Sequence, residues 1–293
     1  MCGTTVLTPL AHSRGFPRVS SVSTRTLAVP PATLVTVEIG GTAIELRTRN
    51  ADFGQLLAER YRGFVGTRRA DHDLEIQLIE PADDRNLDRD LEVTLIGEEW
   101  LLERGDFRAS WKPRLRRGTV RQPASPYAID SVLRIIHSLI LAERGGFLLH
   151  AASAVRYGRA FLFAGVSGAG KTTISRLAPP DANLLSDEIS YVIKDEGTYL
   201  ACGTPFAGEL ARAGENISAP IGGLYLLEKG RDNRIENLGK TEVIPALLRN
   251  VLFFAHDRAL VSCVFDAICE FANQVPVQRL IFAPNERVWD IIR

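Results

Sequence analysis

Ala160-Phe161-Leu162-Phe163-Ala164-Gly165-Val166-Ser167-Gly168-Ala169-Gly170-Lys171-Thr172-Thr173 is the stretch on which the reading of this chain turns. Ala160–Ala164 is a short apolar run and reads as a buried strand. Gly165–Thr172 fits G-x-x-x-x-G-K-[ST] in full, and Thr172–Leu177 can begin a helix. Glycines allow backbone angles that turn successive amides inward, where they bind phosphate oxygens. The Lys171 ammonium is expected to reach the β- and γ-phosphates, and the Thr172 hydroxyl to ligate Mg²⁺. Gly165, Val166, Ser167, Gly168, Ala169, Gly170, Lys171, Thr172 and Thr173 are thus the expected phosphate-binding residues, in a domain of α/β class.

A phosphate site of this kind also needs a carboxylate for the metal, and two places compete for it. Asp187-Glu188 ends the stretch Asn183-Leu184-Leu185-Ser186, and Asp266 follows Leu260–Phe265. Leu260, Val264, Ala267, Ile268 and Phe271 recur at helical spacing, so Asp266 belongs to a helix over 257–274. A short helix and turn fit between Lys171 and Asp187, which lets the strand before Asp187 lie beside the phosphate loop. Two adjacent carboxylates allow one to hold Mg²⁺ and the other to take a proton from an attacking hydroxyl. Asp187 and Glu188, with Thr172, are therefore the expected metal ligands.

Further along, Ile189–Ile193 and Tyr199–Cys202 read as a hairpin, and Gly203–Glu209 as a loop. Glu209 and Arg212 have no evident structural task. Ile221–Leu227 reads as a strand, Thr241–Phe254 as a helix, Val275–Phe282 as a strand and Asn285–Ile292 as a short closing helix. Upstream, apolar residues from Ile129 to Ile140 repeat at helical spacing over 127–143, and Gly145-Gly146 stops that helix. Phe147-Leu148-Leu149 then leads into His150. A lone histidine beside an apolar strand is commonly a core residue. This one precedes the strand that enters the phosphate loop, so a place near the γ-phosphate is the other reading.

The first part of the chain looks different. Residues 1–37 contain no acidic residue, and a disordered start is expected over 1–33. Alternating residues at Val35-Val37-Ile39 and Ile44-Leu46 flank Gly40-Gly41, a hairpin signal. Residues 53–61 suit a short helix, and Leu74–Leu78, Leu91–Leu95 and Trp100–Leu102 suit strands. Residues 34–120 thus form a small α+β unit rich in antiparallel strands, and 121–293 the catalytic domain. Trp100 and Trp111 read as packing residues.

Composition bounds the remaining classes. The chain has 293 residues, with Lys plus Arg 35 and Asp plus Glu 35. A net charge of zero argues against broad nucleic-acid or anionic-membrane binding. No run of 18 apolar residues occurs, so no membrane helix is expected. Cys2, Cys202, Cys263 and Cys269 have neither CxxC pairing nor zinc spacing, and a reducing cytoplasm is the default.

Taken together, Leu148-Leu149-His150-Ala151, Gly165–Thr172 and Leu184-Leu185-Ser186-Asp187-Glu188 resemble, in order and spacing, the HPr kinase/phosphorylase superfamily. Gly203-Thr204-Pro205-Phe206, Val275–Leu280 and Trp289 look like its HPr-kinase-related branch. The resemblance spans residues 125–293. It implies a fold shared with the nucleotide domain of phosphoenolpyruvate carboxykinases, and transfer of the ATP γ-phosphoryl group, often to serine. It implies Asp187 as general base and matches His150 to the family's histidine. The family usually has Asp where this chain has Glu188. The segment supporting phosphorylase activity in the bifunctional enzymes has no match, and that activity is not carried over. Homo-oligomeric assembly is implied as an option. The expected function is an ATP- and Mg²⁺-dependent kinase, with Asp187, Lys171 and His150 as catalytic residues and a serine-bearing peptide or protein as acceptor. The rivals are a kinase for a small hydroxyl metabolite such as free serine, and a nucleotide-binding ATPase or switch without an acceptor.

Overall fold

The computed structural model describes residues 31–81 and 90–293. The expectation of a disordered start falls, through residue 30, outside the described residues. Among the described residues the chain is mixed α/β, with strands in two mixed sheets of seven and nine strands.

The first sheet begins with β1 (Thr33–Ile39) and β2 (Thr42–Thr48), joined through Gly40 and Gly41. Both glycines have positive φ, +54° and +75°, as a two-residue turn between twisted strands requires. Helix α1 (Ala51–Arg60) is capped by the Asn50 side chain, which accepts from Phe53 N. It carries the chain over to β3 (His72–Leu78). A meander follows through β4 (Glu92–Ile96), β5 (Glu99–Arg104), β6 (Phe107–Lys112) and β7 (Arg117–Gln122). The order is β1-β2-β3-β7-β6-β5-β4. The expected antiparallel character holds for four neighbouring pairs. The pairs β2–β3 and β3–β7 are parallel, because α1 crosses between the first two strands and the meander returns β7 alongside β3. Trp100 and Trp111 are buried and paired in register, as packing residues.

Helix α2 (Pro126–Glu143) is apolar almost all round, as suits a helix covered on several faces. Its buried residues join a core that runs from Val35 and Leu46 of the first sheet to Tyr191 and Cys202 of the second. Residues Ala32–Arg293 cluster as one unit.

The second sheet is built on two long strands, β8 (Phe147–Arg156) and β13 (Ser218–Lys229). The first half of β8 pairs with β11 (Ile189–Asp195) and its second half with β9 (Arg159–Ala164). β10 (Asn183–Ser186) pairs with the far end of β8. β11 continues to β12 (Thr198–Cys202), which pairs with the start of β13. Beyond that start, β13 runs parallel to β9 on one side and to β16 (Val277–Phe282) on the other. β14 (Arg234–Asn237) covers the edge of β16. α3 (Lys171–Arg176), α4 (Lys240–Leu248) and α5 (Arg258–Gln274) complete the unit. Asp257 caps α5 by accepting from Leu260 N, and Asp266 is an exposed residue of that helix.

Two boundaries differ from the sequence reading. The helix expected over 241–254 stops at Leu248. Asn250 donates from N to Leu247 O and from Nδ2 to Ala246 O, closing the last turn. Val251–Leu252 then forms β15 against Leu148 and Leu149, where buried backbone groups of β8 need partners. The closing helix is a short 3₁₀ turn, Glu286–Asp290, held by Trp289 Nε1 donating to Ile174 O.

Candidate functional site at the phosphate loop

β9 delivers the chain to Gly165 from the middle of the sheet, between antiparallel β8 and parallel β13. The loop Gly165–Gly170 then turns into α3. Gly168 and Gly170 have φ of +78° and +114°. A Cβ on Gly170 would lie 2.6 Å from Phe282 Cζ. Val166, Ser167 and Gly168 are exposed, so the loop's rim is open.

Lys171 folds back into this loop. Its Nζ donates to Gly165 O at 2.9 Å and to Val166 O at 3.4 Å, and the residue is only 8% exposed. Burial lowers its pKa, opposed by the carboxylates of Glu188 and Glu209. Thr172 donates from Oγ1 to Glu209 Oε2 at 3.0 Å. The Thr173 carbonyl accepts from Leu177 N and closes α3.

The acidic pair sits on the turn between β10 and β11. The Ser186 hydroxyl accepts from Glu188 N and Ile189 N at 3.2 and 2.9 Å, which fixes that turn. Asp187 is buried, and its two oxygens accept from Gly208 N at 2.8 Å and Leu210 N at 2.9 Å. A Cβ on Gly208 would lie 2.9 Å from Asp187 Oδ2, so glycine alone allows this approach. Glu188 stays half-exposed, with Oε2 3.4 Å from Arg134 Nη2. The Arg134 guanidinium lies over the Phe206 ring, 5.1 Å from its centre.

His150 is half-buried on β8, opposite Ile189 in register. Its pKa is lowered by burial and, second, by the nearby Lys171 charge. Both effects favour the neutral form of the imidazole. His137 lies elsewhere, buried with Nδ1 2.9 Å from the Tyr191 hydroxyl. Burial pushes the Cys202 thiol up to about 12, so it is no nucleophile at neutral pH.

Of the expected residues, Lys171 and Thr172 lie on the loop itself, Glu188 and His150 are near enough to share charge effects with Lys171, and Asp187 is turned into the loop that follows β12. Glu209 and Arg134 are additions to this group. Glu209 stood out in the sequence as a charge without a task, but its link to Thr172 is a long-range contact. Arg134 carried a weak signal: between Pro126 and Ala142 the helix has only Asp130 and Arg134 as charged residues. Among the described residues, no three of His, Cys, Asp and Glu gather as a cation cage. The donors present are hydroxyl and carboxylate oxygens, suited to a hard ion held partly by phosphates and water.

A family model described as SynChlorMet cassette protein ScmC matches residues 126–293. No curated protein matches the chain. The matched segment contains α2, the whole second sheet, the phosphate loop and the acidic turn, and it is more than half of the sequence. The chain belongs to the ScmC family of SynChlorMet cassette proteins.

Proposed function

We propose that the chain is an ATP- and Mg²⁺-dependent phosphotransferase of HPr-kinase-like type, with a nucleotide domain of the phosphoenolpyruvate-carboxykinase kind. The observation that carries this reading is the buried Lys171 ammonium, folded onto Gly165 O and Val166 O inside an intact glycine-rich loop. Those carbonyls are weak anchors for a charge, and phosphate oxygens would draw the ammonium off them. Bound ATP with Mg²⁺ would supply the transferable γ-phosphoryl group. The loop amides and Lys171 would bind and orient the phosphates, and Thr172 and Glu188 would offer oxygen ligands.

Asp187 would orient the acceptor hydroxyl and take its proton. A carboxylate has about four lone-pair sites, so two amide bonds leave capacity for that role. His150, kept neutral, could pass a proton without adding charge beside Lys171. Serine on a peptide or protein is the acceptor we favour, with a small hydroxyl metabolite such as free serine as the alternative. The free cysteines among the described residues support a reducing, cytoplasmic setting. No helix among the described residues is long and apolar enough to cross a membrane.

The test is transfer of label from γ-³²P-ATP with Mg²⁺, offering serine peptides and free serine. Label on either acceptor, reduced roughly a hundredfold or more in Lys171→Ala, is the expected result. Label in inorganic phosphate alone, at equal rates in both proteins, would overturn the reading.

A further inference from the structure

We propose that Arg134 is the anion-recognising residue of the acceptor subsite, and that the acceptor carries a carboxylate beside the hydroxyl it offers. The inference deepens the phosphotransferase reading above by naming a substrate class, and it rests on that reading.

A guanidinium has five N–H donors and no acceptor. That of Arg134 is poorly served. The side chain is only 23% exposed, and its Nε is buried without a partner among the described residues. Its contact with a carboxylate, from Nη2 to Glu188 Oε2, is 3.4 Å long, against about 2.7–2.9 Å for a charge-assisted bond. The carboxylate one turn earlier on α2, Asp130, is committed to Arg60 and the Tyr61 hydroxyl. The Phe206 ring lies against the guanidinium, 5.1 Å from it, and supports its plane. A charge buried with so little compensation is costly, and an arriving anion would offset that cost.

Its position favours the acceptor over the nucleotide as the source of that anion. Leu148, His150 and Ala152 share one face of β8. Leu148 packs in the core with α2, and Ala152 in the core with Ile174 of α3. Arg134 thus stands on the α2 side of His150, and Lys171 begins the helix on the other side. Phosphate oxygens are served from that other side, by the loop amides and Lys171. Arg134 instead faces Glu188, the neighbour of Asp187. Phe206, against its guanidinium, is two residues from Gly208, whose amide donates to Asp187. An acceptor that gives its hydroxyl to Asp187 therefore brings its substituents toward Arg134. A carboxylate is planar and can take two parallel N–H bonds from a guanidinium. A peptide serine flanked by Asp or Glu supplies one, and free serine supplies its own.

The experiment is transfer of label from γ-³²P-ATP with Mg²⁺, by the full chain, to acceptors that differ only in charge. One pair is a peptide with Asp on both sides of its serine and the same peptide with Asn. The other pair is free serine and serinamide. Wild type is expected to prefer the carboxylate member of at least one pair by about tenfold or more in kcat/KM, and the pair that shows it names the source. Arg134→Gln should abolish the preference, its rate on the carboxylate acceptor falling to that on the amide. Arg134→Lys should recover only part of it, because an ammonium lacks the paired donors. Equal rates on both members of each pair in wild type would overturn the inference while the phosphotransferase reading stands, and that result needs no variant to fold. A preference that survives in Arg134→Gln would also overturn it, and a uniform slowing of all acceptors would place the guanidinium on the transferred phosphoryl group. No label on any of the four acceptors would remove the phosphotransferase reading, and this inference with it.

Discussion

Gly170 stands at φ +114° with the Phe282 ring against its α-carbon. An L side chain there meets strain of roughly 1–3 kcal/mol from the backbone before any clash. Gly170→Ala should therefore lower the urea midpoint and abolish nucleotide binding together. A variant of wild-type stability and affinity would mean that the loop does not need this conformation. The loop's glycines and Lys171 were legible in the sequence because their chemistry is local: each backbone angle and each amide belongs to the motif itself. The bond between Thr172 and Glu209 was not legible. It depends on how the chain returns after β12, and neither residue's neighbours record that path. Asp187 lies between the two cases. Its place on the turn after a short apolar strand was readable, but its two amide partners came from a segment readable only as glycine-rich.

Helix α2 carries the clearest test at the level of one element. Its Asp130 is buried and accepts from Arg60 Nε at 3.1 Å and from the Tyr61 hydroxyl at 2.6 Å. These bonds tie α1 to α2 across the inside of the molecule. Removing the carboxylate leaves a largely buried guanidinium and a buried phenol without their acceptor. Asp130→Ala should cost about 3 kcal/mol in urea unfolding, and loss of less than about 1 kcal/mol would mean that the pair is no more than a surface contact. Strands and helices with strong periodicity, such as α2, α5 and the β11–β12 hairpin, were readable because burial imposes their pattern. The end of α4 was not. Val243, Leu247 and Val251 keep helical spacing, yet Val251 and Leu252 leave the helix to pair with β8. That demand came from a strand edge distant in sequence. The parallel placing of β3 beside β2 and β7 was hidden for the same reason, since alternation marks a strand but not its neighbour.

Across the whole molecule, the junction of the two sheets contains buried histidines that fold uncharged. Burial lowers the His137 pKa to about 3, and His72 is also lowered by burial. Unfolded, both return toward 6.5, so below that pH the unfolded chain binds more protons than the folded one. Stability should be level above about pH 6.5 and fall as pH drops below it, by up to about 1.4 kcal/mol per pH unit for each group. Urea midpoints at successive pH values check this, and a midpoint that holds or rises down to pH 4.5 would contradict it. The same packing that keeps these groups dry joins the first sheet, α2 and the second sheet into one unit. It thereby fixes β8 and β9, and the phosphate loop opens from the end of β9. The central claim is that Gly165–Thr172, with the acidic turn, is where a nucleoside triphosphate binds. Amide hydrogen exchange of the full chain with and without ATP and Mg²⁺ tests it most directly. The account predicts new protection over 165–172, extending to 187–188 and 208–210, with the first sheet unchanged. Exchange unaltered over 165–172 at saturating ATP, or protection confined to another region, would contradict it.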